Sequence, residues 1–236
     1  MRSSELAIVI PAKNEEGYIG RLIASIASQD YHFLSSTPVI VADANSTDRT
    51  LEVAGSGAKN LKFLTVAGGL PACGRNRGAE TTQSEFILFI DADVELGTAT
   101  VLSSAITLAK ARDLDCVTVD IFCKECRFFD HLLYSFNNIA QRLSVFSKPF
   151  ATGMFMLVRR SAFEKVGGFD EDVLYAEDYH LTKRFERKKF AVARGFVWAT
   201  NRRFKKMGNW KIAKLFILTV LNSHNDEYFR KDHKYW

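Results

Sequence analysis

An α/β domain, built on a doubly wound and mostly parallel sheet flanked by helices, is the fold this sequence predicts. Three observations point to it. Short, almost wholly apolar runs bounded by turn residues recur through the first half, most are followed by a segment with helical spacing, and polar residues gather just past the runs. The run LAIVIPA (6–12) is closed by a proline and reads as a buried strand. Behind the acids Glu15 and Glu16, Ile19, Leu22, Ile23 and Ile26 keep helical spacing. PVIVADA (38–44) is a second buried strand, and NSTDRTLEVAGSG is a loop, a cap and a helix with glycine at its far end. LKFLTV (61–66) is a third strand, PACGRNRGAETTQ a loop entering a helix, and EFILFI (85–90) a fourth strand. A helix near 98–111 and the alternating DCVTVDIF (115–122) complete this half.

The second half is less regular. RFFDHLLYSFNNIAQRLSVF (127–146) spaces Phe129, Leu132, Leu133, Phe136 and Ile139 three or four residues apart. GMFMLVRR (153–160) reads as a strand, SAFEKVGG as a short helix with a glycine stop, and EDYHLTKRFERKK (177–189) as a charged helix. FAVARGFVWAT is a further strand, and RRFKKMGNWKIAKLFILTVL mixes bases with Trp210 and an apolar helix. The expected organisation is a domain over 1–200, divided into a ligand-binding half (1–122) and a second half (123–200), with a basic, amphipathic extension over 201–236.

The chain has 236 residues, 47% of them hydrophobic, and a net charge of +5, enough for a substantial core and too ordinary in charge for global disorder. A mild excess of base does not choose between an anionic ligand, a nucleic acid and an anionic membrane. No apolar run approaches the ~20 residues needed to span a bilayer. MRSSELAIVIPAKNEE reaches acids and a proline too soon for a signal peptide, so a cytoplasmic protein is expected, with contact to the inner face of a membrane left open. CKEC (123–126) has the spacing of half a zinc site or a redox pair, but no second pair follows and His131 alone would leave a zinc site incomplete. Reduced structural thiols are therefore expected at Cys73, Cys116, Cys123 and Cys126.

In a parallel sheet, ligands bind at the carboxyl ends of the strands. Asn14 and Glu15 follow the first strand, Asp43 the second, and Asp91 and Asp93 the fourth. Two carboxylates one residue apart at the end of a buried strand repel each other unless a cation lies between them. A few carboxylates with positions left for phosphate oxygens suit Mg²⁺ or Mn²⁺. A solvated acidic loop would explain a lone DAD; its register with Asp43 and Glu15 favours a site.

IVIPAKNEEGYIGRLIASI, VIVADANSTDRT, GRNRGAE, FILFIDADVEL, GMFMLVRRSAFEKVGGFDE and AEDYHLTKRF together resemble, in order and spacing, the family 2 glycosyltransferases. The resemblance covers roughly residues 6–190. It implies the GT-A fold and transfer of a sugar from a nucleotide-diphosphate donor with inversion at the anomeric carbon. It also implies roles: Pro11, Ala12, Asn14 and Glu15 beside base and ribose, Asp43 on the base edge, and Asp48 as a helix-start cap. Arg75 and Asn76 would lie near the diphosphate with Ala92, Asp91 and Asp93 would hold Mn²⁺ or Mg²⁺, and Asp178 would be the catalytic base. Glu177, His180, Arg184, Arg202 and Arg203 are further candidates for phosphate or acceptor contacts. A helix-start acid pair and a solvated basic run are the plainer explanations of Glu177–Asp178 and of Arg202, Arg203, Lys205 and Lys206.

Ala44 and Asn45 replace the second acid and the glycine of the family's DDG, so any contact made by that acid is absent. The QxxRW of processive polymer synthases is missing, since none of Gln29, Gln83 or Gln141 follows Asp178, which favours a single transfer. UDP is favoured over GDP; the acceptor is a sugar or a lipid-linked molecule, no nucleic-acid partner is expected, and the oligomeric state stays open. A dehydrogenase is disfavoured because no GxGxxG follows the first strand, and a nucleotidyltransferase because PAKNEE has acids where a basic glycine loop belongs. A non-catalytic nucleotide-sugar-binding or membrane-recruited scaffold is the rival from another class. Trp210, Lys211, Ile212, Lys214, Leu215, Phe216, Leu218 and Leu221 fit an interfacial helix and a docked terminal helix equally well.

Overall fold

The computed structural model describes residues 4–231 and 233. In chain order its elements are β1 (Leu6–Ala12), α1 (Ile19–Ala27), β2 (Pro38–Asp43), α2 (Thr50–Gly57), β3 (Lys62–Ala67), α3 (Pro71–Glu80), β4 (Phe86–Phe89) and β5 (Glu95–Leu96). There follow α4 (Val101–Ala111), β6 (Cys116–Cys123), α5 (Phe128–Leu143), β7 (Met156–Arg159), α6 (Arg160–Lys165), α7 (Glu177–Thr182) and β8 (Phe190–Ala199). The chain closes on α8 (Arg202–Met207), α9 (Asn209–Leu221) and α10 (Asp226–Arg230). Among the described residues the strands form one sheet in the order β3-β2-β1-β4-β7-β6-β8-β5. The first four are parallel, β7 runs antiparallel between β4 and β6, β8 is parallel to β6, and β5 pairs antiparallel with β8.

The apolar runs arise because the sheet is covered on both faces. Along β1, Leu6, Ile8, Ile10 and Ala12 pack with α1 and α4, while Ala7 and Val9 pack on the opposite face with α3 and α6. Pro11 sits in this central strand without losing a ladder bond. The bond from Ile90 N–H to the Val9 carbonyl is the last from that side, and β4 has ended at Phe89, so the side on which a Pro11 N–H would point has no strand beside it.

Three expectations change. The charged helix over 177–189 stops at Thr182, because the next bonds tighten to Arg184 N–H→Leu181 and Phe185 N–H→Thr182 and turn the buried Phe185 inward toward β8. Residues 95–96 form a short strand that the sequence leaves unmarked. Cys123 and Cys126 are joined in a disulfide rather than reduced: the turn from β6 toward α5 brings their Cα atoms to 5.7 Å, within the range a bridge spans. Cys73 and Cys116 remain free thiols.

The C-terminal segment docks on the second half through α10. Phe229 is fully buried with Val173 and Tyr175, and its carbonyl accepts the Leu174 and Tyr175 N–H groups. Only Leu215 of α9 is buried. No helix among the described residues is long and apolar enough to cross a membrane.

Candidate active site

The parallel order of β2, β1 and β4 brings Asp43, the Asn14–Glu15 loop and Asp91 to one edge of the sheet. Helix α3 lies close over the same strands. A Cβ on Gly78 would stand 2.4 Å from Val9 Cγ1, and one on Gly74 would stand 3.4 Å from Ala42 and 3.7 Å from Pro11. That close approach holds Arg75 in the interior, with only 1% of it exposed.

Arg75 joins the two halves of the chain. Its Nη2 donates to Asp91 Oδ1 at 2.7 Å, its Nη1 donates to Glu177 Oε1, and its guanidinium carbon lies 5.4 Å from the Phe169 ring centroid. Burial alone would make this cation easier to deprotonate, but Glu177 and Asp91, with Asp178 nearby, raise its pKa instead. The buried Arg75 Nε has no partner.

Beside this pair, Asp178 Oδ2 accepts the Gly153 N–H at 2.8 Å and Oδ1 accepts the Tyr179 N–H at 2.7 Å. Its pKa is pushed up to about 7, first by burial and then by the Glu177 charge, with Arg75 pulling the other way. Protein atoms crowd the carboxylate, yet it keeps some surface open to a cavity of about 790 Å³ that Arg75, Asp91 and Glu177 also line. Gly153 is the residue to which the sequence reading gave no role. A Cβ there would lie 2.3 Å from Arg75 Nη2 and 2.9 Å from Asp91 Oδ1, so only glycine lets these groups meet while its N–H holds Asp178. Its signal was its place at the head of GMFMLVRR. Ala176, just before the acids, takes a left-handed backbone with φ 51°, unusual for alanine and here part of what aims Glu177 and Asp178.

A second cluster lies at the same edge. Arg202 clamps Glu15 with two bonds of 2.8 Å, reaches Asp93 Oδ2 at 3.2 Å, and stacks over Tyr18 at 5.0 Å. Thr200 Oγ1 donates to the same Asp93 oxygen at 3.1 Å. Burial raises the Glu15 pKa, Arg202 opposes it, and Asp93 and Asp91 add to the rise. Asn14, at φ 54°, accepts the Thr47 N–H at 2.8 Å and ties the loop after β1 to the loop after β2. Asp43 accepts the Ser46 hydroxyl at 2.5 Å, and Asp48 braces the start of α2 through the Thr50 N–H at 3.0 Å.

Three candidates point their side chains elsewhere. Asn76 faces away from the acids, donating to the Phe169 carbonyl and to Glu171 at 2.9 Å each. His180 turns to α10, where Nε2 lies 3.1 Å from Asp226 and Phe229 packs on the ring. Arg184 donates to the Val166 and Gly168 carbonyls at 2.8 and 2.6 Å and so fastens the turn after α6. Ala92 is buried in the core, as is Ala12, which leaves their backbones as the groups a ligand could reach. Arg203 lines the cavity.

Asp91 and Asp93 occupy the turn after β4, and each gives one oxygen to an arginine. The other oxygen of each accepts no hydrogen bond from a described residue, and no group of three or more His, Cys, Asp or Glu that could hold a metal occurs among them. Such a two-acid set fits a hard divalent ion that takes its remaining ligands from a bound diphosphate and water, and it does not make a closed protein cage.

A parallel sheet carrying acids, the buried Arg75 and the more exposed Arg202 at its carboxyl edge, with a carboxylate across the cleft, is the type of architecture that nucleotide-sugar transferases use. A profile of "Glycosyl transferase family 2" matches residues 7–167, and the chain belongs to that family. The match ends before Glu177 and Asp178. Similar proteins include the 4,4'-diaponeurosporenoate glycosyltransferase of Staphylococcus haemolyticus, 26% identical over 82% of this chain and 50% of the relative. Glycosyltransferase AglE of Haloferax volcanii is 26% identical over 76% of this chain and 60% of its own length. The chain thus spans about half the length of these curated relatives. Among solved structures, the mannosyltransferase PcManGT from Pyrobaculum calidifontis, in complex with GDP-Man and Mn²⁺, superposes with a TM-score of 0.70 at 22% identity, over 91% of this chain and 61% of that one. TarS of S. aureus, residues 1–349 in complex with UDP-GlcNAc, gives 0.66 at 20% identity over 91% and 66%. These likenesses establish the GT-A fold.

Proposed function

We propose that the chain is an inverting glycosyltransferase that moves one sugar from a nucleotide-diphosphate sugar to an acceptor hydroxyl, with Asp178 as the general base. The observation that carries the reading is the single cluster in which Arg75 bridges Asp91, on the donor side, to Glu177, with Asp178 next to it on the acceptor side. Asp43, beside the loop after β1, is placed to bond a base edge, and Glu15 to meet the ribose. Arg202 and Arg75 are the cations available to a departing diphosphate, whose charge grows as the glycosidic bond breaks. A divalent ion held by Asp91 and Asp93, Mn²⁺ or Mg²⁺, would supply further charge stabilisation to that leaving group when bound. Asp178, raised to about 7, takes the acceptor proton on the opposite face, and burial makes that carboxylate a better base than an exposed one. Absence of the QxxRW pattern supports a single transfer.

Structural neighbours solved with GDP-Man and with UDP-GlcNAc keep both bases in view. Thermal shift with UDP-, GDP- and dTDP-sugars in the presence of Mn²⁺ identifies the donor. Release of nucleoside diphosphate from that donor is expected to need the metal and to be lost in Asp91→Asn. If no donor gives metal-dependent release, the chain is a nucleotide-sugar-binding scaffold and the enzyme reading fails.

A further inference from the structure

Helix α5 is built inside out. The residues it buries are Asp130, Tyr134, Asn138 and Gln141. Asn138 donates to and accepts from Ile121 at 2.9 Å each, and Gln141 donates to the Val119 carbonyl at 3.2 Å, so the polar side holds β6. The outward side carries Phe128, Phe129, Leu132, Phe136, Ile139 and Leu143, each 52 to 76% exposed. A helix facing water has the reverse pattern, and an apolar face of this length marks contact with another apolar phase. Its neighbour α9 continues the face with Trp210, 90% exposed, and with Ile217, Val220 and Leu221. The two helices meet through Phe136 and Phe216, whose ring centroids are 5.3 Å apart.

The cavity at Asp178 lies between these same helices. Its walls are largely apolar, including Leu133, Ala140, Met154, Ile212, Ala213 and Leu215. Phe136, Leu143, Ile217 and Val220 both line it and stand exposed, so the cavity opens onto the outer face. Among its polar lining atoms, Asn137 Nδ2 and Thr152 Oγ1 are buried with no partner among the described residues. The segment that supplies the α9 wall is basic: residues 202–221 contain six bases (Arg202, Arg203, Lys205, Lys206, Lys211, Lys214) and no acid, of which Arg202 is taken up by Glu15 and Asp93 and Arg203 lines the cavity.

We propose that the acceptor is a membrane lipid, a hydroxyl-bearing amphiphile whose hydrocarbon chain lies between α5 and α9 while the outer face of both helices rests on an anionic bilayer. This rests on the transferase reading for the role of Asp178, and the geometry adds the substrate class. The cavity is within the ~300–1,000 Å³ of ordinary ligand sites. Its apolar wall suits a chain that water would not solvate, and its polar end presents Asp178, Asn137 and Thr152 to a head group. The exposed face lets a lipid enter from the side without crossing water. The bases of α8 and α9 match the charge of an anionic leaflet, at roughly 1 kcal/mol for each base near the surface.

The test uses the full chain and two cavity-narrowing variants, Ala140→Trp on α5 and Ala213→Trp on α9. Parinaric acid, a fluorescent long-chain probe, is expected to bind wild type saturably and to bind both variants at least about tenfold more weakly, a loss of ~1.4 kcal/mol. Donor-induced thermal shift is expected to persist in both variants, which shows that they fold, and metal-dependent donor release, which reports on the transferase reading alone, is read in wild type. Phosphatidylcholine vesicles containing phosphatidylglycerol are expected to sediment wild type, and to release the surface variant Phe129→Ser/Leu132→Ser, which keeps parinaric acid binding. Non-saturable probe binding, equal binding by the tryptophan variants, or failure to sediment would overturn the proposal. So would a concentration-dependent dimer that Phe129→Ser/Leu132→Ser abolishes, because a second copy would then cover the face. Saturable probe binding with no donor release would support the chain site and remove the transfer reading instead.

Discussion

At the scale of single residues, Arg75 and Asp178 carry most of the consequence. Arg75 is a buried cation whose charge is balanced by Asp91 and Glu177. Arg75→Met leaves Glu177 buried without its cation, so unfolding by denaturant should show a loss of about 3–5 kcal/mol. Asp178 predicts opposite effects on stability and on rate. Its carboxyl goes from an ordinary 3.8 to about 7, so the folded state holds an extra proton between those values. Stability contributed by that proton falls as pH rises through the window. Asp178→Asn should therefore melt higher than wild type at about pH 8, with the advantage shrinking toward about pH 5. The rate should follow the other sign, with transfer rising through a limb near 7 as the base ionises. The placing of Asp43, Glu15 and Asp91 at one edge of the sheet was legible because each follows a strand in the parallel set. Gly153 was not, because its role comes from a distance across the fold between a missing side chain and Arg75. Asn76 adjoins Arg75 in sequence, but helical geometry turns its side chain to Glu171, a partner that spacing alone does not reveal.

At the scale of elements, the contact between α3 and β1 sets where Arg75 stands. Gly78→Ala would drive a methyl into Val9 and should cost about 1–3 kcal/mol in chemical denaturation, whereas Gly17→Ala, with no atom within 4 Å, should stay within about 0.5 kcal/mol of wild type. The parallel strands β1, β2 and β4 could be read directly, since burial on both faces leaves an almost continuous apolar run, whereas β3 is an edge strand with no buried residue. The antiparallel insertion of β7 and the two-residue β5 could not be. A strand's direction depends on its partners, and two residues carry no period. The end of α7 was hidden too, because the charged residues after Thr182 keep helical composition while Arg184 is taken up by carbonyls of another segment. Spacing at Cys123 and Cys126 allowed a pair, and the turn toward α5 decided that they bond.

At the scale of the whole molecule, the proposed donor-side and acceptor-side groups come from segments about a hundred residues apart and are bridged by Arg75. The second half contributes Gly153, Glu177 and Asp178, and the C-terminal helices contribute Arg202 and one wall of the cavity. Arg202 and the cavity-facing residues of α9 thus adjoin the candidate site from the segment read as a basic, amphipathic extension. The central claim is that Asp178 is the base of a sugar transfer whose donor site it does not touch. The most direct measurement compares donor affinity and transfer rate in wild type and Asp178→Asn with Mn²⁺ and the donor found by thermal shift. Donor affinity should be unchanged while transfer falls by roughly 10²–10⁴-fold, the contribution of a positioned general base. Transfer at a near-normal rate in Asp178→Asn, with the donor bound as in wild type, would contradict it.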